Sequence, residues 1–221
     1  MDRFYNLKIG IPWADLERRL DPGTVLSLVG DVVPWRDGDH AMCMGVDTGK
    51  DHHVVILRKD LFGKELPALI DLVVCQTFEE LDDLMERFQV SRCVIDALPE
   101  THSTRAFAKR HLGNVYLSFF NQHQRGSANW DLKKRRVDIN RTEALDASRA
   151  IIRERGILLS RRASHLQEFA KHMACDAKIL EEDPDTGAKK YRYVRTGEDH
   201  FSLAFTYAVM AVTGFSIPRV Y

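Results

Sequence analysis

The sequence has no stretch approaching the roughly 18 to 20 uninterrupted apolar residues that a membrane span needs, and Met1 runs into Asp2 and Arg3 without the apolar core of a secretory signal. A soluble, intracellular chain with no membrane partner is expected. Net charge is also absent: 32 Lys and Arg balance 32 Asp and Glu, so the total gives no ground for a nucleic-acid partner. Cysteines are few and scattered. Cys43, Cys75, Cys93 and Cys175 show no metal-ligand spacing and three sit in apolar runs, which predicts buried free thiols. Internal repeats and low-complexity segments are missing too. At 221 residues, 44% of them hydrophobic, the chain is long enough for one well-buried core and short for two full α/β domains.

What the total charge hides, its distribution shows. From Arg125 to Arg162 eleven Lys or Arg meet five acids, an excess of +6 that the rest of the neutral chain offsets. Such asymmetry can place a cationic face beside an acidic site.

The first forty residues, with Pro12, Pro22, Pro34 and a short helix expected over Trp13 to Leu20, read as a linker or arm (1–40) packed on a domain spanning 41–221. Apolar and β-branched runs then predict strands at Ala41 to Val46, His53 to Arg58 and Ala68 to Gln76, most economically antiparallel neighbours. Thr77 caps an amphipathic helix through Phe88, a buried strand follows at Arg92 to Ile95, and a helix over Thr101 to His111 leads into Val115 to Phe120. Three meandering strands followed by parallel β-α-β units is the ribonuclease H-like succession, a mixed sheet flanked by helices. Asn121 to Asp138 lacks periodicity and reads as a long surface loop. Helices are expected over Asn140 to Arg155, Ser164 to Cys175 and Glu198 to Thr213, the last apolar on most sides. Between them, Lys178 to Glu182 and Lys190 to Arg195 flank Asp183-Pro184-Asp185-Thr186-Gly187, which predicts an added β-hairpin. Its position just before Asp199 suits a movable flap, with Lys189, Lys190, Arg192 and Arg195 towards a nucleic-acid backbone.

Asp47 and Asp96 stand at the C-terminal ends of strands that this topology makes neighbours, and Asp199 opens the last helix, from which its side chain can point back at those ends. Taken singly, the first two are turn residues and the third a helix cap. Three converging carboxylates repel one another strongly, and a pair of Mg²⁺ or Mn²⁺ ions removes that cost, since hard cations prefer carboxylate and water oxygen. Two such ions about 3.5 to 4 Å apart can clamp a phosphodiester without a histidine base or covalent nucleophile. Glu198 and His200 are possible auxiliaries beside Asp199, with helix charge and helix packing as the plain alternatives. Arg125, Lys133, Lys134, Arg135, Arg136 and Arg141, together with Lys190 and Arg192 of the hairpin, are the candidates for holding double-stranded DNA by its phosphates, against a solvated charge run.

Two rival motifs are weaker. Gly45-Val46-Asp47-Thr48-Gly49-Lys50 has three residues between its glycines where a Walker A loop has four, and Asp51 follows the lysine. An aspartate-glycine phosphate turn of the actin type shares the strand order but normally needs a second related domain. His52-His53 and His172 with Cys175 carry no complete ligand set and read as core or surface residues.

The order and spacing of Met44-Gly45-Val46-Asp47-Thr48-Gly49, Val94-Ile95-Asp96-Ala97-Leu98-Pro99-Glu100 and Gly197-Glu198-Asp199-His200-Phe201-Ser202-Leu203-Ala204 with Tyr207-Ala208 resemble the nuclease domain of phage large terminase subunits. Val137 to Asp146 and the hairpin also fit, and Phe4 to Gly10 is similar to the stretch that joins the packaging ATPase to its nuclease. The resemblance implies an endonuclease that cuts concatemeric viral DNA with Asp47, Asp96 and Asp199, acting in the cytoplasm of an infected bacterial host. It also implies a longer whole, in which a packaging ATPase domain, a small terminase subunit and a portal are partners. No Walker motif is present, so no ATPase activity is expected of this chain alone. A non-catalytic DNA-clamp or docking module of the same motor, and another nuclease of this fold such as a junction resolvase, are the alternatives.

Overall fold

The computed structural model describes residues 20–32, 40–182, 187 and 189–214. The helix expected before Leu20, the Phe4 to Gly10 stretch and the hairpin tip at 183–186 lie outside them. In chain order the elements are α1 (Pro22–Leu26), β1 (Val29–Gly30), β2 (His40–Asp47), β3 (His52–Asp60), β4 (Ala68–Cys75), α2 (Phe78–Arg87), β5 (Arg92–Asp96), α3 (Thr101–Arg110), β6 (Val115–Phe120), β7 (Asn129–Asp131), β8 (Arg136–Ile139), α4 (Arg141–Arg153), β9 (Leu158–Ser160), α5 (Leu166–Ala174), β10 (Asp176–Glu182), β11 (Lys189–Arg195) and α6 (His200–Thr213). Nine strands form one sheet in the order β1-β9-β4-β3-β2-β5-β6-β8-β7, and β10 pairs with β11 in a separate antiparallel hairpin. The β2-β3-β4 meander is antiparallel, and β5 and β6 add to it in parallel.

The central strands are continuous apolar runs because both faces of the sheet are covered. Cys43, Val55, Leu57 and Val94 face one core with α1, α4, α5 and α6, whereas Met44, Val46, Val54, Ile56 and Ile95 face another with α2 and α3. The α2 start is written in its sequence: Thr77 accepts from the Glu80 amide while the Glu80 carboxylate accepts from the Thr77 amide. All four cysteines are free; Cys43, Cys75 and Cys93 are buried and Cys175 is partly exposed. No helix among the described residues is long and apolar enough to cross a membrane.

Two features depart from the sequence reading. The segment expected as a loop holds β7 and β8, and β8 joins the sheet parallel to β6. Its period-2 pattern, Val137 and Ile139 buried and Arg136 and Asp138 partly exposed, is too short to stand out among charges. Gly45 to Lys50, by contrast, agrees with the sequence: it runs from a strand into a hairpin turn and not into a helix, so the phosphate-loop geometry is absent there. Residues 22–30, read as part of the arm, supply α1 and a strand that pairs with β9 at the sheet edge.

Helix α6 lies directly on β2, and Gly45 makes the approach possible. A Cβ at that position would overlap the carbonyl oxygen of Ala204 and the backbone nitrogen of Ala208. Neither backbone atom can move without shifting the helix. Gly45→Ala is therefore expected to destabilise the fold by about 3 kcal/mol, read as a lower urea midpoint at unchanged slope. An unchanged midpoint would mean that α6 does not pack on β2 as described.

Candidate metal centre

Local folding delivers three carboxylates to one end of the sheet. Asp47 is the last residue of β2 and Asp96 the last of β5, and these strands run in parallel with Val46 beside Ile95. Thr48 Oγ1 donates to the Leu98 carbonyl at 2.8 Å and ties the two strand-end loops together. Asp199 sits at the N-terminus of α6 but makes no capping hydrogen bond, so the plain helix-cap account does not hold. The residue is 4% exposed, and Oδ1 is buried without a hydrogen-bond partner among the described residues. Arg195 Nε lies 3.2 Å from that oxygen yet directs its N–H to the Gly197 carbonyl at 2.6 Å, and Arg141 Nη2 is 3.9 Å from Oδ2. A buried carboxylate oxygen with no donor is costly. The chemistry of this donor set suits a hard cation.

The other two acids are held by different means. Asp96 accepts at Oδ1 from the Leu98 amide, 3.1 Å away, and at Oδ2 from the hydroxyl of Tyr207, 2.8 Å away on α6. Burial pushes its carboxyl above the ordinary range, against the pull of these donors. Asp47 is pushed up to about 6, chiefly by burial; His200 opposes this, and the charges of Asp96 and Asp199 add to it. Asp47 therefore lies within reach of the charges of both other acids.

Two histidines join Asp47. His200 Nδ1 is 2.9 Å from Asp47 Oδ2, which raises the imidazole's pKa. His53 is paired with Asp47 across the β2-β3 register, and its ring stacks on His200 with centroids 4.7 Å apart. Burial, then the nearby His200 and His172, hold His53 down to about 4. The metal-capable side-chain atoms of Asp47, His53 and His200 all lie within 4.8 Å of one another. Asp96 and Asp199 are not in a group that tight among the described residues. By sequence, His200 is a possible auxiliary, whereas His53, beside His52 and without a complete ligand set, reads as a core or surface residue. A tight turn after Asp47 was the available signal, because antiparallel pairing about Lys50 sets His53 opposite it. Glu198 is turned away, 77% exposed and 3.7 Å from His172 Nε2.

The basic candidates are less free than their sequence suggests. Arg136 forks onto Asp138 at 2.6 and 2.7 Å, Lys134 is 3.3 Å from Asp131, and Arg135 donates to the Ala108 carbonyl at 2.9 Å. Arg192 pairs with Glu181 at 3.0 Å and Lys190 Nζ reaches Gln122 at 3.5 Å. Among the described residues Arg125 donates to the Gln122 carbonyl alone, 3.3 Å away, and Lys133 is exposed. Between the hairpin and the start of α4 lies a cleft of about 390 Å³ lined by Arg141, Thr142, Lys190, Arg192 and Tyr193. The hairpin base is pinned: Lys178 Nζ and the Tyr193 hydroxyl both donate to Asp146 of α4, at 2.7 to 2.8 Å.

No family model matches the chain, and no curated protein matches it. Among solved structures, a point mutant of the large terminase subunit from bacteriophage Sf6 with calcium is 10% identical, over 86% of this chain and 94% of that one, at a TM-score of 0.50. The large terminase nuclease from thermophilic phage G20c is 14% identical, over 86% and 97%, at 0.49. The Sf6 nuclease domain with manganese and beta-thujaplicinol is 11% identical, over 88% and 94%, at 0.49. At 10% identity the likeness is one of fold, and the nine-stranded mixed sheet with its added hairpin is the ribonuclease H-like fold of that Sf6 large terminase subunit.

Proposed function

We propose that the chain is a metal-dependent DNA endonuclease, the nuclease domain of a viral large terminase, with Asp47, Asp96 and Asp199 as the ligands of two Mg²⁺ or Mn²⁺ ions. The observation that carries this is Asp199, buried, uncapping and with an oxygen that no donor satisfies, at the sheet end where Asp47 and Asp96 stand. Bound there, the ions would lower the pKa of an attacking water and neutralise the leaving 3′ oxygen. The residues of the chain do the positioning. Tyr207 fixes the Asp96 carboxylate from α6, and His200 holds one oxygen of Asp47. Arg141, beside Asp199 and on the cleft wall, is placed to meet a phosphate. In this reading the partners are duplex DNA, a packaging ATPase domain, a small terminase subunit and a portal, in the cytoplasm of an infected host. The direct test is plasmid incubated with the purified chain in Mg²⁺, Mn²⁺ or EDTA. Linear and nicked products with either ion and none in EDTA are expected; intact plasmid throughout would leave only a clamp.

The same reading sorts the basic residues by what already occupies them. Each phosphate neutralised by a free cation steepens the log–log salt slope by roughly 0.9. In an Asp47→Asn background, which prevents cutting, replacing Arg125, Lys133 and Lys190 by Ala should make the slope shallower by up to about 3 units. Replacing Lys134, Arg135 and Arg136 should change it less, since these already meet Asp131, the Ala108 carbonyl and Asp138. Fluorescence anisotropy against salt concentration decides it; equal effects of the two triples would discard this sorting.

A further inference from the structure

We propose that Asp47, His53 and His200 form a second kind of cation site, one carboxylate and two imidazoles, that takes a borderline transition-metal ion such as Zn²⁺ in preference to Mg²⁺. The regulatory consequence drawn below rests on the nuclease reading, because Asp47 would be shared; the binding itself does not. Among the described residues this is the only group of three or more His, Cys, Asp or Glu whose ligand atoms lie within 4.8 Å of one another. Three separate elements build it: the end of β2, the facing start of β3 and the first residue of α6. Ligand atoms about 2.0 to 2.1 Å from one ion stand roughly 3 to 3.5 Å apart, and Asp47 Oδ2 and His200 Nδ1, at 2.9 Å, are close to that spacing. His53 brings a ring nitrogen within 4.8 Å of both. Its ring is parked for this, stacked on His200 at 18° and met edge-on by Phe201 at 4.8 Å. Its Nδ1 is buried and lacks a well-formed hydrogen bond. His172, the third ring of the cluster, is not in that group: its Nδ1 accepts from the Phe201 amide at 3.2 Å, and its Nε2 is 3.7 Å from Glu198 and 3.9 Å from Glu168.

Ligand type sets the choice of ion. Imidazole suits Zn²⁺, Ni²⁺, Cu²⁺ and Fe²⁺, whereas Mg²⁺ seeks oxygen and keeps its water. Three protein ligands leave positions open to water, as in non-structural zinc sites. An ion held there would take Asp47 away from the carboxylate set. Zn²⁺ would therefore switch the nuclease off while Mg²⁺ is in excess.

The test is calorimetric titration of ZnCl₂ into the EDTA-stripped, desalted full chain at neutral pH, with and without excess MgCl₂. One Zn²⁺ per chain is expected, little affected by Mg²⁺. His53→Gln and His200→Gln should each weaken binding by at least about tenfold, while Asp96→Asn retains it. Absence of binding to the wild type, wild-type affinity in both histidine variants, or loss in Asp96→Asn would each overturn the proposal. Should a Gln variant fail to fold by circular dichroism, the Co²⁺-loaded wild type replaces it: paramagnetically shifted proton signals from two imidazole rings are expected, and none would overturn the site. Plasmid cleavage in Mg²⁺ alone tests the nuclease reading separately, so failure of either leaves the other standing.

Discussion

Asp47→Asn, Asp96→Asn and Asp199→Asn are each expected to lower DNA cleavage by about a thousandfold or more, the equivalent of about 4 kcal/mol of lost charge stabilisation. Each change keeps the shape of the side chain and removes one of the charges that would hold the ions. The fold should survive, because the cations nearest Asp199, Arg195 at 3.2 Å and Arg141 at 3.9 Å, are both partly exposed and would not be stranded in the core. For Asp47 a gain is expected in the metal-free protein. Its carboxyl is pushed up to about 6 mainly by burial, so the native chain binds this proton more tightly than the unfolded chain does. The stability it contributes is full below the ordinary carboxylate range and is lost as pH rises through about 6. In EDTA at neutral pH, Asp47→Asn should be more stable than wild type on the order of 2 kcal/mol, with the difference fading in acid. Thermal unfolding across pH reads the sign. A full-rate Asp96→Asn enzyme with unchanged metal dependence would sink the assignment of the three acids.

Arg149→Met is the second large effect. Arg149 is 2% exposed and lies where α4, the base of the hairpin and α6 meet. It forks onto Asp176, with Nε 3.2 Å from Oδ1 and Nη2 on Oδ2, while Nη2 also reaches Ser202 Oγ at 2.6 Å and Nη1 reaches Ser148 Oγ at 3.0 Å. Removing one partner of a buried pair strands the other charge, so a loss of about 4 kcal/mol at neutral pH is expected. The pH dependence identifies the cause. Burial already raises the Asp176 carboxyl and Arg149 is the main restraint on it, so the deficit should be smallest below the ordinary carboxylate range and grow as pH rises through the further elevated native value. Arg149→Met with Asp176→Leu should recover most of the loss. A single variant within about 1 kcal/mol of wild type, or a deficit independent of pH, would remove the pair from this role.

The centre of the fold was legible because its causes are local. Double-sided burial turns β2 to β6 into apolar runs bounded by turn residues, and the Thr77 and Glu80 cap marks where α2 begins. The β10-β11 hairpin fell within two residues of its observed ends at each strand. The edges were not legible. Strands of two or three residues such as β1 and β9 are strands only because of partners far away in sequence. The same limit applies to side chains. Asp47, Asp96 and Asp199 announce themselves by their places at element ends, but His53 belongs to the centre only through cross-strand register. A run of basic residues shows its charge in sequence and conceals its partners: Arg192 faces Glu181 from the neighbouring hairpin strand, and Arg136 reaches Asp138 two residues along its own.

Strand β9 lies between β1 and β4, pairing in parallel with both. Val29 meets Leu159 across 130 positions of chain, and closing a loop of that length costs roughly 4 kcal/mol of chain entropy before any contact rewards it. The meander and its parallel extensions through Phe120 need no residue beyond themselves to pair. During synthesis, then, β4 stands as an open edge until Leu158 to Ser160 emerge, and an open edge invites pairing with a second nascent chain. Asp71, partly exposed in the middle of β4, is the single charge on that edge. In the finished fold Asp71 Oδ1 accepts from the Ser164 amide at 3.1 Å, so the residue that guards the edge during synthesis becomes a latch for the segment that later covers it.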